Sequence, residues 1–281
     1  MLSGLVMTAV LFGALLHASW NAIVKSGSDT FVDTLLVASG AAVVAAATLP
    51  FLPLPPAESW PYLAASVIIQ LAYYGLVAAA YRTGDLSYVY PIMRGFAPLL
   101  TALLAGFFVA ERLTRGGWAG VALISAGILL LAANQWRLGR LHVPQTLFAL
   151  CTAISICVYT LIDGLGARIS GDSFSYVGWL TALTGTTLAV FIFARHRAAT
   201  MSRIRARWRI SLLGGLCTWA SYAIALWAMT RAPVALVAAL RETSVIFGTT
   251  LAAVVLKEKF GGARVAAAGL VCAGAVCLKV F

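Results

Sequence analysis

Acidic side chains are scarce in this chain: nine Asp and Glu in 281 residues, with only 10% of positions charged. A soluble domain of this length carries roughly 25% charged residues, so composition alone excludes an ordinary water-soluble fold. Histidine is nearly absent, with three in the chain. Neither Gly-x-Ser-x-Gly nor His-Glu-x-x-His occurs, and the only imaginable acid–base pair is His17 with Asp163. An intramembrane enzyme is therefore the weakest class, and the expectation is no catalysis. No glycine-rich loop ends in a lysine-serine step, so direct drive by ATP is not expected and no cofactor is implied. The five cysteines, Cys151, Cys157, Cys217, Cys272 and Cys277, lie inside apolar runs without metal-ligand spacing. They read as packing residues, with no disulfide and no metal.

What is abundant is apolar surface, 62% of the residues. Crossing a bilayer as helix takes about 20 apolar residues. Ten such runs fit, near 2–24, 31–52, 60–81, 87–109, 114–135, 144–165, 173–194, 210–230, 234–256 and 263–280. The first is expected to be a span and not a signal peptide, since nothing basic precedes it and it ends in Trp20, Asn21 and Lys25. The formal charge of +11 would suggest nucleic acid in a soluble protein. Here the basic residues sit in short loops, so no nucleic-acid partner is expected. Lys25, Arg82, Arg137, Arg140, the six arginines from Arg195 to Arg209, Lys257, Lys259 and Arg264 fall on one side. Arg112, Arg115, Arg168, Arg231 and Lys279 fall on the other. The positive-inside bias places both termini outside.

The chain repeats itself at a spacing of 147 residues. Thr83 aligns with Thr230, Arg94 with Arg241, Glu111-Arg112 with Glu258-Lys259, Leu123 with Leu270 and Gly127 with Gly274. Five helices per half is odd, so the second half enters the membrane upside down. Inverted repeats place a substrate site near the midplane and rock around it. The expected fold is all-α integral membrane, ten transmembrane helices in two inverted five-helix repeats, 1–140 and 141–281.

Charged side chains inside a span cost ~2.5–3.5 kcal/mol on insertion scales and face a cavity or a partner. Four stand out: Arg94, Asp163, Arg241 and Glu242. The arginines approach the midplane from opposite faces, and guanidinium groups so placed suit a carboxylate, phosphate or phosphonate. The alternative is structural pairing with Asp163, Glu242 or helix-end carbonyls. Polar stripes at helical spacing add His17, Trp20 and Asn21 in the first run, and Gln70, Tyr73 and Tyr74 in the third. The sixth run adds Tyr159 and Asp163, and the eighth adds Thr218, Trp219 and Tyr222. Such residues can equally be interhelical glue or interface anchors. Lining is favoured for Trp20, Asn21, Tyr74 and Tyr222, and anchoring for Trp60, Tyr62, Trp118 and Trp208. Glu111 and Glu258, at the ends of the fourth and ninth runs, read as structural carboxylates, each near the N-terminus of the next helix.

Five plus five helices, each half carrying a glutamate (Glu111, Glu258) before a glycine- and alanine-rich fifth helix, resemble the drug/metabolite transporter superfamily, EamA-type branch. The stretch His17-Ala18-Ser19-Trp20-Asn21-Ala22 with Lys25 is similar to bacterial members of that branch. The resemblance implies a multi-pass protein of a bacterial-type cytoplasmic membrane, a monomer or homodimer, with cytoplasmic termini, the reverse of the charge count. The function expected is secondary transport of a small anionic or zwitterionic metabolite, such as an amino acid, organic acid or phosphonate. Arg94, Arg241, His17, Trp20, Asn21, Tyr74, Tyr159, Tyr222 and Glu242 would bind it, with Asp163 as the candidate for proton coupling. An exporter of cations or drugs, with Asp163 and Glu242 as binding charges, is the runner-up, and a lipid flippase a third reading. The small multidrug relatives centre on a glutamate in their first helix, which this chain lacks.

Overall fold

The computed structural model describes residues 2–27, 29–83, 86–137, 143–248, 250 and 262–280. The described elements are α1 (Gly4–Lys25), α2 (Thr30–Thr48), α3 (Trp60–Thr83), α4 (Leu86–Phe108), α5 (Arg115–Arg137), α6 (Val143–Ser170), α7 (Ser173–Met229), α8 (Val234–Arg241) and α9 (Gly262–Val280). Nine stretches of helix among the described residues are long and apolar enough to cross a membrane. The tenth expected span, 234–256, lies partly outside the described residues. The protein is an all-α membrane protein of ten transmembrane helices in two inverted five-helix repeats.

Helix ends follow local chemistry. Ser3 caps α1 by accepting from the Val6 amide, and Asp29 caps α2 by accepting from the Val32 amide. Helical backbone continues through all of α7, where the sequence suggests two spans joined by a basic loop. A straight rod of that length would extend roughly 85 Å at 1.5 Å per residue, nearly three times a bilayer core. It is not straight. A Cβ on Gly185 would lie 2.6 Å from the Ala38 carbonyl oxygen, and one on Gly215 would lie 2.3 Å from the Ala41 amide. Both arms, Ser173–Phe191 and Ile204–Met229, therefore fold back onto the same stretch of α2. Glycine is needed there because the backbones touch.

The two-fold relation between halves is visible contact by contact. A Cβ on Gly127 would meet the Ala267 carbonyl oxygen at 2.8 Å. Shifting both residues by the repeat spacing exchanges this pair for Gly274 and Gly120. A Cβ on Gly274 would indeed meet the Gly120 carbonyl oxygen at 2.7 Å. The two fifth helices, α5 and α9, thus cross on equivalent residues. The first and last helices also meet end to end, since Lys279 Nζ lies 3.7 Å from the Cβ position of Gly4. Both termini share one face, as an even number of crossings requires.

Each face carries a polar fastener. On one, Arg207 of the basic stretch of α7 pairs with Asp33 at 3.3 Å and donates to the Ile23 carbonyl and the Ser26 hydroxyl. On the other, Glu111 Oε1 accepts from Arg168 at 2.7 Å and from the Val234 amide at 2.9 Å. Arg168 also donates to the carbonyls of Met229 and Ala232. Ala110 swings Glu111 into place at a φ of 53°, in the left-handed region. The sequence places Glu111 near the N-terminus of the helix that follows it, and the structure corrects which helix it serves: it caps α8 of the other half. The helix that follows it, α5, is capped by Thr114, which accepts from Gly117.

Candidate functional site

A proline-containing helix and an interrupted one build the centre of the molecule. In α4, Pro91 and Pro98 lie inside the helix. Pro98 has no N–H, so the Arg94 carbonyl, four residues earlier, receives no intrahelical bond. The ninth span was expected to run unbroken to 256, but α8 stops at Arg241. There the ladder tightens: the Glu242 amide donates to Ala239 and the Thr243 amide to Leu240. Helix resumes at 244, with Ile246 donating back to Thr243. The Thr243 hydroxyl donates to the Leu240 carbonyl at 2.7 Å, drawing that carbonyl away from a regular ladder. No Gly or Pro marks this break. Arg241 therefore sits where its helix is interrupted, a placement typical of transporter sites at the midplane, and its repeat mate Arg94 sits in a continuous helix one turn before a proline.

Between these helices and α6 lies a narrow cleft lined by Arg94, Thr101, Tyr159, Thr160, Arg241 and Glu242, closed by Ala97, Pro98, Ile156 and Ala238. Arg94 Nε stands 2.8 Å from Glu242 Oε2, both side chains almost fully buried. Among the described residues Arg94 Nη2 has no hydrogen-bond partner. Arg241 is half-buried, its guanidinium carbon 5.0 Å from the centre of the Tyr222 ring. Among the described residues it forms no ion pair. A guanidinium over an aromatic face keeps its edge donors free for a ligand.

Asp163 is fully buried beside this cleft. Tyr176 donates to Oδ1 at 3.1 Å, Gln70 to Oδ2 at 3.2 Å, and the Tyr222 hydroxyl donates to Oδ2. Gln70 also donates to Ser66, which faces the carboxylate too. All these donors are neutral, so among the described residues the carboxylate has bonds but no countercharge.

The structure brings Arg94, Tyr159, Arg241 and Glu242 to one cleft and joins Tyr222 and Asp163 to it. His17, on α1, lies within electrostatic reach of both arginines. Its Nδ1 accepts from Trp20 Nε1 at 3.3 Å, which requires an uncharged ring. Asn21 is spent inside α1, its amide donating to the His17 carbonyl at 2.8 Å. Tyr74 stacks edge-on against Tyr73, which in turn meets Tyr159 at 5.8 Å, so α3 contributes an aromatic wall. Of the four proposed anchors, Trp118 and Trp208 are exposed, whereas Trp60 packs on Trp179 and donates to the Pro55 carbonyl. Sequence reasoning missed Tyr176 and Thr101, which sit on no conspicuous polar stripe, and the clamping role of Arg168, a lone loop cation.

The model of the EamA-like transporter family matches residues 4–133 and again residues 144–280. No curated protein matches the chain. A solved structure, described only as the crystal structure of a protein, has 22% identity and a TM-score of 0.75 over 99% of this chain and 98% of that one. At that identity the likeness shows the fold alone.

Proposed function

The chain belongs to the EamA-like transporter family, within the drug/metabolite transporter superfamily, and from that premise we propose that it carries a small anionic or zwitterionic metabolite by alternating access. Multi-pass membrane transport is what the family does. The finer reading rests on Arg241: a half-buried guanidinium at a helix break, facing the cleft with no ion pair among the described residues. Inside a membrane a cation so placed is costly unless something arrives to meet it. Carboxylate, phosphonate and the carboxylate end of an amino acid all fit a planar two-pronged donor. The cation-exporter reading loses one of its two carboxylates, since Glu242 is paired with Arg94 and only Asp163 is left to it. Asp163, buried and without countercharge, is the group we assign to proton coupling. A bacterial-type cytoplasmic membrane is the proposed location.

The deciding experiment is a thermal-shift screen of the purified protein against organic acids, phosphonates, amino acids and cations, followed by uptake into proteoliposomes. Stabilisation by anions or zwitterions, lost in Arg241→Lys, supports the reading. Stabilisation by cations alone would overturn it.

A further inference from the structure

The charges at the site sum to a definite balance. Four charged groups stand at the centre of the described structure, Arg94, Glu242, Arg241 and Asp163, beside a His17 ring that is uncharged while it accepts from Trp20. Arg94 and Glu242 cancel each other across 2.8 Å. Arg241 and Asp163 remain, and they do not pair. Tyr222 stands between them, its ring under the guanidinium and its hydroxyl on the carboxylate. Resting on the function proposed above, we propose that the site takes a substrate of one net negative charge together with one proton, and that Tyr222 links the two.

With Asp163 ionised the empty site is neutral. A monoanion on Arg241 alone would leave one uncompensated negative charge in a low-dielectric interior, which is strongly disfavoured. A proton from the open aqueous side, added to an Asp163 oxygen, restores neutrality. It also reverses a hydrogen bond. The ionised carboxylate can only accept, so Tyr222 must donate to it. Once protonated, Asp163 can donate to the Tyr222 oxygen, which releases the phenolic hydrogen towards the anion held by Arg241. Proton and anion then each favour the other's binding by the same factor.

The groups facing Asp163 are consistent with this exchange. Ser66 and Gln70 come from α3, Tyr176 and Tyr222 from α7, and Tyr159 lies one turn earlier on α6. None is a cation. Arg168, further along α6, is engaged by Glu111. His17 is uncharged while it accepts from Trp20. A zwitterion brings its own compensating ammonium and would draw no proton, so the class selected is a monoanion such as a monocarboxylate or a phosphonate monoanion.

The test uses the purified full-length protein in lightly buffered detergent with a pH-indicator dye. Acetate, lactate, benzoate and methylphosphonate serve as anions, glycine and phenylalanine as zwitterions, with binding followed in parallel by thermal shift. A stabilising anion should be accompanied by uptake of about one proton per chain. Asp163→Asn should bind the same anion with no uptake. Tyr222→Phe, which loses one neutral hydrogen bond, should bind it roughly tenfold more weakly. Anion binding without proton uptake, or stabilisation by zwitterions in preference to anions, would overturn the proton–anion link and leave the site reading standing. Binding of no probe, or anion binding indifferent to Arg241→Lys, would overturn the site reading itself. Should Tyr222→Phe fail to fold, proton counting in wild type against Asp163→Asn still decides.

Discussion

Arg94 and Glu242 meet at 2.8 Å between Nε and Oε2, an ion pair that joins the first repeat to the second in the interior of the bundle. The repeat makes Arg94 and Arg241 equivalent in sequence, yet their partners differ. Glu242 has Gly95 as its counterpart, so only one acidic group stands there to be shared. A side chain at Gly95 would have to displace Leu129, whose Cγ would lie 2.7 Å from the added Cβ. One arginine is neutralised and the other stays available.

Removing one member of the buried pair should be costly. Arg94→Ala leaves Glu242 buried without its countercharge, and breaking such pairs costs about 3–5 kcal/mol. A lower melting temperature in detergent is the expected result. The double variant Arg94→Met with Glu242→Leu should recover much of that stability, though not transport. A double variant as unstable as Arg94→Ala would show that the pair is not the source of the loss.

Arg241 should behave in the opposite way. With no ion pair to break, Arg241→Lys should leave folding yield and melting temperature near wild type. Affinity for an anionic ligand should fall by about one to two orders of magnitude, for the loss of a charge-assisted bond of ~1.5–3 kcal/mol. Unchanged affinity for the ligand would make Arg241 structural.

The clamp at the α7–α8 corner depends more on the arginine than on the acid. Arg168→Ala releases two backbone carbonyls as well as Glu111, and should cost ~1.5–3 kcal/mol or more. Glu111→Gln keeps an oxygen for the Val234 amide and should cost less. Chemical or thermal unfolding of the two variants side by side tests the order, which would be reversed if the carboxylate charge dominated.

Backbone contact at α2 makes a sharp packing prediction. Gly215→Ala places a methyl 2.3 Å from the Ala41 amide and must push two helices apart, so folded protein should be strongly reduced. Gly75→Ala meets nothing within 4 Å and should be neutral or stabilising by up to about 1 kcal/mol. Equal behaviour of the two in size-exclusion profiles would contradict the helix crossing.

Orientation can be read directly. In a cysteine-free background, Arg205→Cys should react with an impermeant maleimide only after the membrane is made permeable. Arg231→Cys, exposed on the opposite face, should react in intact cells. The reverse pattern would place the termini in the cytoplasm.

The number of crossings, the inverted repeat and the intramembrane charges are written in the sequence, because a bilayer punishes polarity one residue at a time. Each charge or apolar run is therefore a local signal, and Arg94, Asp163, Arg241 and Glu242 stand out without any knowledge of packing. Which charge meets which is not local. Glu242 chooses Arg94 over its own neighbour Arg241, and Asp163 collects Gln70, Tyr176 and Tyr222 from two other helices. Glu111 caps a helix of the opposite half and leaves the next one in sequence to Thr114. The break after Arg241 was hidden too, since Glu-Thr-Ser is compatible with helix and only the i→i+3 bonds around it reveal the interruption. Hydrophobicity acts along the chain and fixes what crosses the membrane. Pairing of buried charges acts across helices, and only the packed bundle decides it.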